Sequence, residues 1–194
     1  MEQIEGYKEL LKKRLTAKRY THTVSVAQTA AKLAKMYEGD ADQAYLAGLL
    51  HDYARDLSPT ELLTIAQENE LLTDHVEVVN PDLLHGVVGA FLLKQDGLVT
   101  DEVILRAIRY HTTGHPQMDK LGRIIYIADY IEPGRDFPGV DKLRTVTYKN
   151  LDYGVLAGLD HTMLYLLQSG AFIHPLSVAA RNRMLEEVNI KHCN

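Results

Sequence analysis

The sequence predicts an all-α fold, and three observations carry that expectation. Apolar residues recur at spacings of three and four nearly from end to end, the period of one helix face. No stretch alternates apolar and polar residues convincingly over the length of a strand. Helix start and stop residues stand between the periodic stretches.

Taken in order, Ile4, Tyr7, Leu11 and Leu15 form the first apolar stripe. A second helix is expected from about Thr21 to Glu38, carrying Val26, Ala30, Leu33 and Ala34. Asp40, with Gln43 three residues on, reads as a capping box opening a third helix through Leu46, Leu49 and Leu50. Ser58-Pro59-Thr60-Glu61 is a stronger start, with a capping serine, proline at the first helical position and glutamate at the third. Leu71 to Asn80 shows no clear pattern and is expected to be irregular. Asn80-Pro81 opens a helix over Leu83 to Leu93 that Gly97 terminates. Thr100 is expected to cap a helix from Asp101 to about Tyr110. A further helix covers Met118 to Ile131 and stops before Pro133. Two Pro and two Gly make residues 132–139 a loop. Helices fill the rest, over Val140 to Ser169 and Leu176 to Val188.

The 194 residues suit one domain, 1–194. A chain of that length buries about 70% of its unfolded surface and needs no disulfide or structural metal. The net charge of −5 disfavours a non-specific binder of nucleic acid or anionic membrane. A polyanionic substrate would need a bound cation or a local cluster of bases. The single cysteine, Cys193, excludes a disulfide framework and a cysteine-based zinc site, is expected to be inert, and fits a reducing cytosol. The first dozen residues are charged and lack a signal-peptide core, and no apolar run reaches the ~18 residues of a membrane span. A cytoplasmic protein is the expectation.

Five places put ionisable side chains into apolar helices. His51-Asp52 follows the run Tyr45 to Leu50, where charges are costly unless paired or ligated. His22 should face inward with Val26 and Leu33. His85 stands in an apolar helix beside Gly86, which permits close approach. His111 is followed by Thr112, Thr113 and Gly114. Asp129 ends the apolar run Ile124 to Ala128, where something cationic should face it; Arg123 and Arg135 are the nearby candidates, a metal the other. Singly, each is more often a hydrogen-bonded core residue. Together they resemble the way helix bundles build metal sites from inward side chains. Nitrogen and carboxylate ligands without sulfur suit Fe, Mn, Co, Ni or Zn in a catalytic role, as one ion or a pair.

His22, His51-Asp52 and Asp129 resemble the pattern of the HD phosphohydrolases, a helical superfamily that binds metal through such residues. The strings RYTHTVSVA, AGLLHDYARDLSP, PDLLHGVVGA, AIRYHTTGHPQM and IYIADYIEPGRDFPGV are more specific and resemble the YqeK family over residues 7–188. Members are described as symmetrical diadenosine tetraphosphate hydrolases that bind iron and ADP. The resemblance implies an HD-domain helical bundle with His22, His51, Asp52 and Asp129 as metal ligands, iron foremost. It implies catalytic roles for Asp52, His85 and His111, the two histidines being either ligands of a second ion or donors to phosphate.

Nucleotide contacts are expected from Arg19, Tyr20, Thr21 and His22 at a helix start, where free N–H groups favour anions. Arg135 can grip phosphate bidentately, and Asp52, His85, His111, Thr112 and Asp129 border the same site. Lys18 ranks below Arg19 and Arg135, as a surface charge. The turn Gly170, Ala171, Phe172, Ile173, His174 and Pro175 reads either as a loop packed on the core or as an adenine pocket stacking on Phe172 or His174; the resemblance favours the pocket. Asp56 and Glu132 are candidates to orient a ligating histidine, but a solvated helix-end charge is the preferred reading of each. His75, His161 and His192 lack an apolar or ligand-like setting, and His115, before Pro116, is read as shaping its loop.

The expected activity is hydrolysis of diadenosine tetraphosphate to two ADP by a metal-activated water. Alternatives are an HD phosphohydrolase acting on another nucleotide, and a non-catalytic sensor of an ADP-like ligand. The nucleotide is the expected partner, with no nucleic acid and no membrane; a homodimer is left open.

Overall fold

A computed structural model of the protein describes residues 2–192. The reading of Cys193 lies outside the described residues. Among these there is no strand, and helices follow one another throughout.

The first four are α1 (Glu2–Arg14), α2 (Ala17–Met36), α3 (Ala41–Leu50) and α4 (Pro59–Glu68). Helix α2 starts about a turn before the expected Thr21. Thr16 caps it, accepting from the Arg19 N–H at 3.4 Å. The early start was masked because Lys18 and Arg19 fall in the first turn, at the positive end of the helix dipole, where cations are normally disfavoured. Asp40 caps α3 through the N–H groups of Asp42 and Gln43, at 2.9 and 3.0 Å. Gln43 does not complete the expected box; its amide donates to Asp101 Oδ2 at 3.0 Å and ties α3 to a later helix. At α4 both halves of the Ser58–Glu61 box are made.

Next come α5 (His75–Val79) and a 3₁₀ turn, Pro81–Leu84. Then follow α6 (His85–Gln95), α7 (Glu102–Arg109) and α8 (Lys120–Ile131). The segment expected to be irregular therefore holds α5, opened by a box of Asp74 and Glu77. Five residues are too few for a helical period to register. Asp101, not Thr100, caps α7, accepting from Val103 N at 2.8 Å. Gly97 ends the α6 segment in the left-handed region as expected (φ +66).

The last helices are α9 (Val140–Lys149), α10 (Leu151–Ser169) and α11 (Pro175–His192). The stretch Val140 to Ser169 breaks at Asn150, whose extended backbone stops α9 and whose Oδ1 caps α10 through Tyr153 N at 3.1 Å.

One apolar core runs from Tyr7 on α1 to Val188 on α11, through Leu33, Leu49, Ile108, Ile125 and Leu159. A smaller cluster of Ala54, Leu62, Leu84 and Val88 fixes α4 against α6. Helices α2, α3 and α8 pack on one another, and α7 packs on both α3 and α8. The ends of α3, α7 and α8 and the start of α6 meet near the first turns of α2. No helix among the described residues is long and apolar enough to cross a membrane.

Candidate metal centre

His22 comes from the second turn of α2. His51 and Asp52 follow the last residue of α3, His85 opens α6, His111 follows α7 and Asp129 lies in the last turn of α8. Helix ends leave carbonyls without intrahelical partners, and three of the four histidines use such carbonyls. His51 Nδ1 meets Gly48 O at 2.7 Å, His85 Nδ1 meets Asp82 O at 2.5 Å and His111 Nδ1 meets Ile108 O at 2.7 Å. In each case the carbonyl is three residues back. A carbonyl can only accept, so each Nδ1 carries a proton and each Nε2 is the atom that faces inward. His22 is oriented differently, by Glu132 Oε1 at 3.1 Å from its Nδ1.

The inward atoms surround Asp52. Its Oδ1 lies 3.2 Å from His85 Nε2 and 3.8 Å from His111 Nε2. Its Oδ2 lies 3.3 Å from His51 Nε2, 3.7 Å from His22 Nε2 and 2.9 Å from the Arg19 guanidinium. Asp129 Oδ1 closes the group, 3.0 Å from His22 Nε2 and 3.9 Å from His51 Nε2. All six residues expected from the sequence therefore converge. His22, His51 and Asp129 form one close donor set; His51, Asp52 and His111 form a second.

Burial raises the cost of a negative Asp52, but His51 and His85 outweigh it and hold the carboxyl well below the usual range. Burial also opposes a charged Asp129; His22, His51 and Arg135 again hold it ionised. His111 goes the other way. Burial, then His85 and His51, push its pKa from 6.5 down to about 3, so it stays neutral and keeps its lone pair.

These features fit a divalent cation. Ionised carboxylates and the neutral His111 are in the protonation states a metal requires. Against the cost of burial, the same carboxylates pull the His51 pKa upward, the attraction a cation would take over. His22 Nε2 and His51 Nε2 are buried and make no well-aligned hydrogen bond. His85 Nε2 and His111 Nε2 stand 3.0 Å apart, although both Nδ1 atoms already hold protons toward carbonyls. Two lone pairs at that distance repel unless a proton or cation lies between them. The orienting bonds at Nδ1 are those by which proteins fix metal-binding imidazoles.

Arg135 pairs with Asp129, by a charged hydrogen bond to Oδ1 and a 2.8 Å bond from Nε to the Asp129 carbonyl. Arg123 does not take that role; it binds Asp152 and Glu187 at 2.8 and 2.6 Å. Arg19 and Arg135 thus flank the two carboxylates. Glu132 corrects the sequence reading. It is 3% exposed, not solvated, and besides His22 it binds the Gly134 N–H at 2.6 Å. Asp56 accepts from Thr16 N at 2.6 Å and does not touch the imidazoles. Thr21 is exposed and bonds back to Ala17 O, Tyr20 packs against the core, and Thr112 donates weakly to Leu83 O at 3.4 Å.

The turn Gly170, Ala171, Phe172, Ile173, His174 and Pro175 splits by exposure. Phe172 is 63% exposed and offers a ring to solvent, whereas His174 is 3% exposed. His174 Nδ1 accepts the Leu176 N–H at 3.1 Å and so caps α11. Its Nε2 faces Glu77 Oε1 on α5 at 3.4 Å. Only Phe172 of the two rings is placed to stack. Against the cost of burial, His174 and the N–H groups of Thr73 and Asp74 hold Glu77 down from 4.5 to about 2. A carboxyl depressed on folding contributes stability above its ordinary value and loses it as pH falls toward the folded one. Denaturant titrations at pH 5.5 and pH 3 should therefore differ less for Glu77→Gln than for wild type, by about 2 kcal/mol. An equal acid loss in both proteins would remove Glu77 from the acid response.

A helical bundle carrying inward His, His-Asp and Asp side chains defines an HD domain, and residues 19–134 match the HD-domain family model. The chain belongs to the YqeK family of HD-domain proteins. It is 40% identical over 92% of its length to a symmetrical bis(5'-nucleosyl)-tetraphosphatase of Halalkalibacterium halodurans, covering 95% of that protein. It is 41% identical to the protein of the same name from Bacillus subtilis, over 85% of this chain and 88% of that one. Among solved structures, a predicted HD superfamily hydrolase involved in NAD metabolism from Clostridium acetobutylicum superposes with a TM-score of 0.91 at 38% identity. That match covers 95% of this chain and 97% of the other.

Proposed function

We propose that the protein is a symmetrical bis(5'-nucleosyl)-tetraphosphatase that hydrolyses diadenosine tetraphosphate to two ADP. The observation that carries this is the ring of four imidazole Nε2 atoms around Asp52, flanked by Arg19 and Arg135. The names of the relatives support the substrate.

His22, His51, Asp52 and Asp129 would hold a divalent transition metal, and iron is our assignment ahead of Mn, Co, Ni or Zn. When bound, such an ion lowers the pKa of water and neutralises phosphate charge. We assign His85 and His111, with Asp52 Oδ1, to a second ion. A preparation saturating at one ion per chain would make them donors to substrate phosphate instead. Arg19 and Arg135 each have donors beyond those spent on carboxylates, and these orient the phosphates. Thr112 lies next to His111 and supplies a hydroxyl. Phe172 stacks the adenine, while His174 holds the turn by capping α11. One cysteine in 194 residues suits a reducing compartment, and we place the protein in the cytoplasm.

Incubating the protein with diadenosine tetraphosphate and Fe, Mn or Co, followed by separation of the products, tests this reading. ADP alone is expected. ATP with AMP would mean asymmetric cleavage, and tight binding without turnover would mean a sensor.

A further inference from the structure

A symmetric dinucleotide presents two identical halves to a site that has no symmetry of its own. The two halves must therefore occupy two unlike places, one on each side of the bond that breaks. The metal centre has two such sides. Asp52 Oδ1 faces His85 and His111, and Oδ2 faces His22, His51 and Arg19. Beyond His111 the protein leads to the Phe172 turn: Thr112 shares a small cavity with Glu77 and Leu176, next to His174. On the reading above, in which Phe172 stacks the adenine, that side serves the first nucleoside.

Beyond His22 lies a cleft of about 970 Å³ between the first turns of α2 and the loop 132–139. Its volume is at the upper end of the ~300–1,000 Å³ of small-molecule sites. His22, Arg19 and Arg135 line it where it borders the metal-site carboxylates, and Lys18 and Phe137 line it as well. We propose that this cleft binds the second nucleoside diphosphate half of the substrate, the half that departs when the bond breaks. The proposal rests on the dinucleoside tetraphosphate reading above.

The lining has the chemistry for each part of that half. Lys18 and Arg19 stand on the opening turn of α2, and Arg135 faces them from the loop, a cationic set for a diphosphate. Phe137 is half-buried and held on two sides, edge-on to Tyr130 at 6.4 Å and tilted against His161 at 5.0 Å. A ring fixed in this way is a stacking platform for a base. Three carboxylates also face the cleft, of which Glu132 is engaged with His22 and the Gly134 N–H. Asp56 is engaged with Thr16 N at 2.6 Å, whereas the exposed Asp136 is free to accept from ribose hydroxyls or the adenine amino group. Hydrolysis forms a bond from water oxygen to a central phosphorus and breaks that phosphorus's bond to the bridging oxygen. The bridging oxygen leaves with the second ADP and takes up a proton. An open cleft on the side opposite the first nucleoside lets that ADP go.

The test compares diadenosine tetraphosphate with adenosine 5'-tetraphosphate, which lacks the second nucleoside. Wild type should prefer the dinucleotide in kcat/KM by about tenfold or more, the worth of one stacked base. Phe137→Leu, which keeps an apolar contact to Tyr130 and His161, should bring that ratio down toward one. Lys18→Gln, on an exposed residue, should instead lower kcat/KM for both substrates together, because both keep the diphosphate it binds. Affinity for a methylene-bridged, non-hydrolysable analogue, measured by calorimetry, should fall in step. An unchanged ratio in Phe137→Leu, with unchanged analogue affinity in both variants, would overturn the cleft assignment. Failure of wild type itself to release ADP would instead overturn the activity on which it rests. If Phe137→Leu melts early, Lys18→Gln carries the test alone.

Discussion

Asp52→Asn is expected to strip the protein of its divalent ion and of turnover while leaving the helices folded. Among the described residues Asp52 is the one side chain that faces all four imidazoles, and its two oxygens divide them into two pairs. An asparagine of the same size keeps one carbonyl oxygen but turns an NH₂ toward the other pair. Two Nε2 lone pairs then gain a donor in place of an anion, which satisfies them and removes their attraction for a cation. Loss of a partner that merely orients a ligand costs 10–100-fold in metal affinity, so loss of this central ligand should cost at least about a hundredfold. The fold should survive because Arg19, left without Asp52, is partly exposed and can turn to water. Metal content by elemental analysis, with the melting temperature of the metal-free form beside it, reads both effects. Full metal retention with full activity would make Asp52 a structural ion-pair partner only, and the metal reading would fall with it.

How far the sequence shows this site depends on what kind of signal each residue leaves. His22, His51, Asp52, His85, His111 and Asp129 are legible because each is an ionisable group inside an apolar run, and that is an energetic anomaly. Glu132 leaves no such anomaly. It follows the last residue of α8 and precedes Pro133, the ordinary place for a solvated charge, and only the chain's return over α2 buries it on His22. Arg19 is a similar case. Its position in the first turn of α2 conflicts with the helix dipole, and the conflict resolves only when Asp52 arrives from α3. The elements behave in the same way. Caps made by local bonds, as at Ser58, are readable from four residues. The Gln43 amide went to Asp101, far along the chain, and local spacing carries no information about that choice. The short helix α5 was legible after all, in the Asp74–Glu77 box, for a reader willing to trust a cap without a period behind it. Between Phe172 and His174 the sequence leaves the stacking ring open, because Glu77, the partner that buries His174, belongs to that short helix far along the chain.

Two glycines three residues apart on α6 should respond to alanine with opposite signs. In an ordinary helix interior, Gly→Ala stabilises by roughly 0.5–1 kcal/mol, because alanine loses less backbone freedom on folding. Gly89 fits that rule: an added Cβ would meet Ala54 N at 3.6 Å, an ordinary contact. Gly86 does not. There an added Cβ would lie 2.9 Å from Arg109 O, 3.1 Å from Ile108 O and 3.2 Å from His111 Nδ1. The first two are backbone atoms of neighbouring α7 and cannot swing aside. Moreover, Ile108 O is the acceptor that holds His111 Nδ1, so any retreat of α7 carries the imidazole with it. Overpacking of this kind costs typically 1–3 kcal/mol. For a chain of this size, Gly86→Ala should therefore lower the melting temperature by about 4–8 °C for a cost near 2 kcal/mol. Gly89→Ala should raise it by a degree or more. The metal affinity of Gly86→Ala should fall as well, since His111 no longer meets Asp52 at its present distance. That second readout separates a strained site from a merely strained helix. A variant as stable as wild type and fully loaded with metal would show that α6 and α7 have slack where they cross. The close approach at Gly86 would then not be what sets the His111 position.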